Sequence, residues 1–333
     1  MPQNDDTRTP LVSAVIPTRN RPELVCRAVN SALGQTYAGL EVIVVVDGPD
    51  QATMRALEGL HEPRLRIIQN AENVGQAEAK NIGVRMAQGK WIALLDDDDE
   101  WLPHKIDRQL AVAQQLEGDF AFVVSRFIEK TSKLERVIPH VLPQSTRHFS
   151  EYLYCERGNL QTSTLFISRF LLLQIPFTKG LRIEDTDWLL RAADDERTRI
   201  GVVEEPLSVY HNAATGNRET GSGSWESLFT WGVTSRTLFT RKALSLFFST
   251  QCVSRARQNN APVGVLALLF LTGALLGKCT LQSLTHFVGY FVFSANTRRQ
   301  VRLLFDRSGH KKTTSSQAIQ QRAQLFDGSV CKE

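Results

Sequence analysis

Trp91-Ile92-Ala93-Leu94-Leu95-Asp96-Asp97-Asp98-Asp99 is an apolar run that stops at four consecutive carboxylates. Continuous apolar residues without polar alternation suit a strand covered on both faces. The same grammar recurs on either side. Residues 11–17 form a short apolar run ending in Pro17, and residues 42–46 are β-branched throughout. Residues 65–69 and 120–128 read as further strands. Between the strands, Pro22 stands at a first helical position. Leu24, Val25, Ala28, Val29 and Ala32 recur at helical spacing, and Gly34 closes the segment. Residues 51–60, 76–87 and 103–116 read as helices in the same way. Strands alternating with helices predict a Rossmann-like α/β domain with a mostly parallel sheet. Ligands of such sheets bind at the carboxyl ends of the strands. Thr18 and Asn20, Asp47, Asn70 and Asn73, and Asp96 to Asp99 each follow a strand. They are expected to meet in one crevice.

Beyond this alternation the pattern weakens. Residues 163–167 and 207–210 read as strands, and 187–193 as a helix introduced by Glu184-Asp185. Residues 213–224, rich in Gly, Ser, Thr and Asn, read as a mobile loop, with 214–223 able to close over a bound ligand. From Trp225 onward the chain is helical and more basic. The expected organisation is a polar tail (1–10), an α/β domain (11–224), a helical basic and apolar region (225–310) and a polar tail (311–333).

The bulk numbers are those of a folded protein. The 333 residues are 42% hydrophobic and 22% charged, and the net charge of +4 is too mild to argue for nucleic acid. Five scattered cysteines without a CxxC pair give neither a disulfide framework nor a zinc site, and a polar start without an apolar core gives no signal peptide. Both point to the cytoplasm. Residues 261–293 are apolar but interrupted, with Arg241, Lys242, Arg255, Arg257, Lys278, Arg298, Arg299 and Arg302 within or beside them. Two readings stay open for 241–302: peripheral contact with the inner face of the cell membrane, or a helical bundle packed on protein.

The acidic run carries the chemistry. Like charges packed at a strand end raise one another's pKa. A hard divalent cation relieves that cost, taking one or two carboxylates and completing its shell with water and substrate phosphates. The plainer reading is a solvated acidic turn.

Val15-Ile16-Pro17-Thr18-Arg19-Asn20, Val45-Val46-Asp47-Gly48, Asn73-Val74-Gly75 with Ala77, Lys80-Asn81 and Gly83, and Leu95 to Asp99 with Trp101, Pro103 and Lys105 resemble, in this order, the family 2 inverting glycosyltransferases of bacterial polysaccharide assembly. The resemblance covers residues 11–215 and implies the GT-A fold. It implies a nucleotide-sugar donor, a UDP-sugar above others, and a saccharide or lipid-linked saccharide acceptor. Pro17, Thr18 and Asn20 would line the nucleotide pocket, and Asp47 would accept a hydrogen bond from the base. Asn73, Gly75 and Lys80 would track the diphosphate, Lys80 standing where many relatives carry Arg, which has a bidentate fork. Asp96 and Asp98 match the DxD element, with Asp98 on Mn²⁺ or Mg²⁺, Asp99 as a second ligand and His211 as a further one. Asp97 falls at the variable place of that element, beside the donor, and is expected to be solvated. Arg182-Ile183-Glu184-Asp185-Thr186-Asp187-Trp188 matches the ED segment. Asp185 would then be the general base that deprotonates the acceptor, with Glu184, Thr162 and Thr164 on the acceptor side. The plainer reading of Glu184-Asp185 is an acidic pair favouring a helix N-terminus.

Three other readings compete, one of them a divalent-ion binder without a sugar, although the acidic run lacks the alternating ligand spacing of an EF-hand loop. A nucleotidyltransferase would carry a glycine-rich loop where Pro17-Thr18-Arg19-Asn20 stands. A non-catalytic binder of sugar nucleotides would not need both Asp98 and Asp185.

Overall fold

Strands β1 (Val12–Thr18) and β2 (Leu40–Val46) pair in parallel and are buried at every position. Their β-branched and apolar residues need no wet face. The computed structural model describes residues 11–132, 134–143, 148–212 and 224–292. Residues 1–10, 213–223 and everything from 293 onward lie outside the described residues, and with them the loop expected over 214–223 and Arg298, Arg299 and Arg302.

The chain runs through α1 (Pro22–Leu33), β2, α2 (Gln51–Glu58), β3 (Leu65–Gln69), α3 (Gln76–Met86), β4 (Trp91–Leu94), β5 (Glu100–Trp101), α4 (Lys105–Ala113), β6 (Ala121–Lys130) and β7 (Glu135–Ile138). It continues with α5 (Phe149–Tyr154), β8 (Phe166–Ser168), α6 (Arg169–Gln174), α7 (Glu184–Asp194), β9 (Arg199–His211), α8 (Trp225–Thr234) and α9 (Arg241–Phe247). The strands form one sheet in the order β3-β2-β1-β4-β8-β6-β9-β5, with β7 paired to β6. Strands β3, β2, β1 and β4 are parallel. Beyond them β8 runs antiparallel to both β4 and β6, and β9 returns parallel to β6.

Alternate residues of β1 serve opposite faces. Val12, Ala14 and Ile16 join the cluster that includes Ala28 and Val29 of α1. Val15 faces α3 so closely that a Cβ on Gly83 would sit 2.4 Å from its Cγ1. Only glycine allows that approach.

Three expectations need correction. Thr162–Thr164 is a 3₁₀ turn, and the strand expected over 163–167 begins only at Phe166. The strand expected over 207–210 is the end of the 13-residue β9. Its register against β6 slips around Arg126, which pairs with Pro206. A proline lacks the ladder N–H and forces such an irregularity. The helix expected over 187–193 already starts at Glu184.

The chain divides into two compact units, residues 1–244 and 245–333. The second contains a π-helical segment (Phe248–Cys252), α10 (Val253–Gln258), α11 (Val263–Leu276) and α12 (Leu281–Val292). Among the described residues no helix is long and apolar enough to cross a membrane.

Candidate active site

The site starts where β1 and β2 end. The chain leaves β1 through Asn20, whose φ of 53° is one that Asn tolerates better than most residues. Its backbone N–H donates to Asp50 Oδ2 at 2.7 Å. Asp50 in turn caps α2 by accepting from the Thr53 N–H. At the end of β2, Gly48 adopts φ 107°, and Asp47 turns inward. Its carboxylate accepts from Val74 N at 2.8 Å, Gly75 N at 2.9 Å and Asn70 Nδ2 at 3.1 Å. Three of about four acceptor positions are thus filled, so Asp47 ties the 73–75 loop to the sheet and keeps one position in hand. That loop delivers Gly75, at φ 87°, as the N-cap of α3. The unpaired N–H groups and positive dipole end of an α-helix favour anions there.

The acidic run is not a solvated turn. Asp97 is only 6% exposed and accepts from Thr18 Oγ1 at 2.7 Å and from Arg21 Nη1 at 2.9 Å. The expectation that it is solvated is therefore corrected. Burial pushes its carboxyl up, against the lowering by Arg21 and Thr18. Asp99, 1% exposed, is held by Ser163 Oγ at 2.7 Å. Asp96 accepts from Gln76 Nε2 at 3.0 Å. Burial, opposed by Lys80 and reinforced by Asp185, Asp99 and Asp98, holds its carboxyl well above the usual range. Asp98 keeps its side chain 21% exposed, with Arg21 Nη1 at 3.7 Å.

On the facing wall, α7 opens with Glu184 and Asp185 in its first turn. Asp187, two positions beyond Asp185, accepts from Thr178 Oγ1 at 2.6 Å, Arg191 Nε at 2.8 Å and Trp231 Nε1 at 2.9 Å. Trp188 is fully buried and donates to Ile175 O at 2.7 Å. These contacts fix the helix start, and with it Asp185. Lys80 Nζ donates to Asp185 Oδ1 at 2.7 Å and reaches Glu184 Oε1 at 3.4 Å, and Thr162 Oγ1 donates to Asp185 Oδ2. Burial disfavours a charged lysine, but Asp185, Asp96 and Glu184 outweigh it and raise the Lys80 pKa above its ordinary value. Glu184 shifts upward too, through burial opposed by Lys80.

These walls enclose a cavity of about 760 Å³. Pro17, Thr18, Asn20, Asp47, Asn73, Gly75, Asp96, Asp97, Asp98, Glu184 and Asp185 all line it. The family model of Glycosyl transferase family 2 matches residues 13–172. Those residues, just under half of the chain, form a family 2 glycosyltransferase domain. It is 32% identical over 215 residues to the succinoglycan biosynthesis protein ExoO of Rhizobium meliloti, covering 61% of each chain. It is 30% identical over 159 residues to the UDP-Glc:alpha-D-GlcNAc-diphosphoundecaprenol beta-1,3-glucosyltransferase WfaP of Escherichia coli, covering 48% of this chain and 61% of that one. The chain thus spans about three fifths of the length of both relatives. Its fold resembles that of S. aureus TarS 1–349, solved in complex with UDP-GlcNAc, with a TM-score of 0.53 at 17% identity over 84% of this chain and 79% of that one. The curled, mostly parallel sheet of this family 2 domain is the GT-A fold.

Five of the singled-out residues stand away from the cavity wall. Lys80 is fully buried beneath the two carboxylates of α7. Asp99 points back to Ser163. Thr164 is buried and donates to Gln161 O at 2.7 Å. His211 Nε2 lies 2.6 Å from Glu100 Oε1. Thr162 reaches the cavity only through Asp185. Conversely, Arg19, Arg21, Gln76, Arg182 and Tyr210 line it without having been assigned a role. Arg19, Arg21 and Gln76 carried a signal, because each flanks a residue that was chosen at a strand or helix end.

Proposed function

We propose that the chain moves a sugar from a nucleotide diphosphate, a UDP-sugar, to an acceptor hydroxyl with inversion, in the assembly of a bacterial surface polysaccharide or glycoconjugate. One observation carries the reading. Asp185 and the Asp96–Asp98 pair open onto a single cavity, whose volume falls within the range of about 300 to 1,000 Å³ that small-molecule sites occupy. Inversion by direct displacement needs that arrangement. The acceptor oxygen bonds to the anomeric carbon while the bond to the diphosphate breaks, the electron pair leaves with the phosphate, and one base takes the acceptor proton. Asp185 is the base in this proposal. Each of its oxygens already accepts one hydrogen bond, from Lys80 and from Thr162. That leaves lone pairs for the acceptor and fixes the carboxylate's rotation.

Asp47, with one acceptor position in hand, suits the imide N–H of uracil. The N-terminus of α3 suits the diphosphate. Asp96 and Asp98 fit Mn²⁺ or Mg²⁺: two carboxylates are what such an ion takes from protein when substrate phosphates complete its shell. Among the described residues no group of three His, Cys, Asp or Glu side chains could hold an ion unaided. When bound, the cation would offset charge on the leaving diphosphate. The name of WfaP supports a UDP-sugar donor and a diphosphoundecaprenol-linked acceptor. That of ExoO supports polysaccharide assembly.

The test is a screen of UDP- and GDP-sugars for hydrolysis with and without Mg²⁺ or Mn²⁺. A UDP-sugar consumed only in the presence of the ion, and spared after chelation, is expected. A chain that releases nucleotide diphosphate from none of them overturns the reading.

A further inference from the structure

Helix α11 is apolar around its whole circumference. Leu266, Leu269 and Gly273 form one stripe, spaced by three and four residues, and are buried. Leu268, Leu271 and Leu275 form a second stripe with the same spacing, and these are 54%, 54% and 78% exposed. Helix α12 repeats the device with Leu281, Leu284 and Val288, at 77%, 43% and 47%. Phe270 and Phe287 stack with ring centroids 4.3 Å apart, so the two helices are held as a pair. Of the fourteen large apolar side chains exposed among the described residues, eight lie within 263–288. Such a concentration marks an interaction surface rather than scattered surface leucines.

Charge decides the occupant. From residue 227 to residue 305 the chain has nine Lys and Arg and no Asp or Glu. Arg255 and Arg257 end α10, and exposed Lys278 sits in the turn between α11 and α12. A protein partner of mixed charge does not call for 79 residues without one acid. An anionic lipid surface does, because each nearby Lys or Arg adds attraction and each acid would subtract it. Length decides the mode. At 14 residues α11 is about 21 Å long, short of the roughly 30 Å hydrocarbon core.

We propose that the α11–α12 face lies in the interface of an anionic bilayer, leucines in the acyl boundary and basic residues among the headgroups, without crossing it. The inference does not rest on the transfer activity. It is tested by sedimenting the full chain with vesicles rich in phosphatidylglycerol and with vesicles of phosphatidylcholine alone. The wild type is expected to sediment with the first and to lose that binding at high salt. Leu275→Asp with Leu281→Asp should weaken binding at least about tenfold. Arg255→Gln, Arg257→Gln and Lys278→Gln together should weaken it on the order of a hundredfold, at about fivefold per charge. Because Leu275 and Leu281 are among the most exposed apolar residues, the Asp pair should unfold at the wild-type temperature. The uncharged pair Leu275→Gln with Leu281→Gln should show the same loss. Wild-type protein that ignores both vesicles, or variants that bind as well as wild type, overturn the proposal. So does a wild-type dimer in solution that the Asp pair splits while vesicles stay unbound, since the face then joins two copies of this chain.

Discussion

Lys80 Nζ lies 2.7 Å from Asp185 Oδ1, although the two residues are 105 positions apart. The contact links α3, on the nucleotide side of the crevice, to α7, on the facing side. Lys80 is fully buried, whereas the Asp185 side chain is 30% exposed. One end of the ion pair is sealed and the other opens to the cavity. A carboxylate held this way keeps its orientation yet can still meet a substrate.

Removing the cation should therefore leave Glu184 and Asp185 without their shared counter-ion. Lys80→Met is expected to lower stability at neutral pH by about 2 kcal/mol. That lies below the range for fully buried pairs because water reaches Asp185. Adding Glu184→Gln should recover part of the loss, since it removes a carboxylate that Lys80 had neutralised. Urea unfolding of both variants and the double variant measures this. Equal stability of wild type and Lys80→Met would contradict it.

Asp96 offers the opposite case. Its carboxyl is held above the usual range mainly by burial, with Asp185, Asp99 and Asp98 adding to it and Lys80 opposing. A carboxyl whose folded-state pKa exceeds the unfolded value binds its proton more tightly when folded. It favours the fold below the unfolded pKa, near 3.9, and that favour is lost as pH rises through the folded pKa. At pH 7 the ionised form is a burden on the ligand-free protein. Asp96→Asn is expected to raise the melting temperature at pH 7 and to leave it little changed in acid, while nucleotide-sugar affinity falls. Thermal scans across pH, paired with calorimetric donor titration, would check both parts. A variant less stable than wild type at pH 7 contradicts the account.

The first half of the sheet was legible because each strand there is a single apolar or β-branched run closed by a turn signal. Asp47 and Asp96 could be placed on the crevice from that pattern alone, since parallel strands present their carboxyl ends together. Elsewhere the code is non-local. β9 reads poorly because Glu204-Glu205-Pro206 interrupts it, and only pairing with β6 makes it one strand. Asp97 looked solvated because nothing local announces that Thr18 and Arg21 reach it across 79 and 76 positions. The family resemblance put Lys80 on the diphosphate, and nothing local announces that its partners lie on a helix more than 100 residues away.

Lys105 tests the same physics in the core. Fully buried, it stacks over the Trp101 ring at 4.7 Å and donates to Gln109 Oε1. Burial pulls its pKa from 10.5 to about 7. A lysine depressed in the folded state contributes stability that is complete above pH 10.5 and is lost as pH falls through about 7. Wild-type stability should thus gain from this group between pH 7 and 10. Lys105→Met should flatten that slope and make the protein more stable than wild type at pH 6. Chemical unfolding at several pH values checks this; identical slopes would contradict it.

In the proposed reaction Asp185 takes the acceptor proton while the Asp96–Asp98 side of the cavity holds the donor. Asp185→Asn keeps the shape and the Thr162 contact but removes the base. Transfer to acceptor and donor affinity, measured on the same preparation, separate the two roles. Transfer is expected to fall by at least about a hundredfold, with donor affinity within a few-fold of wild type. Transfer that persists at the wild-type rate in Asp185→Asn would contradict it.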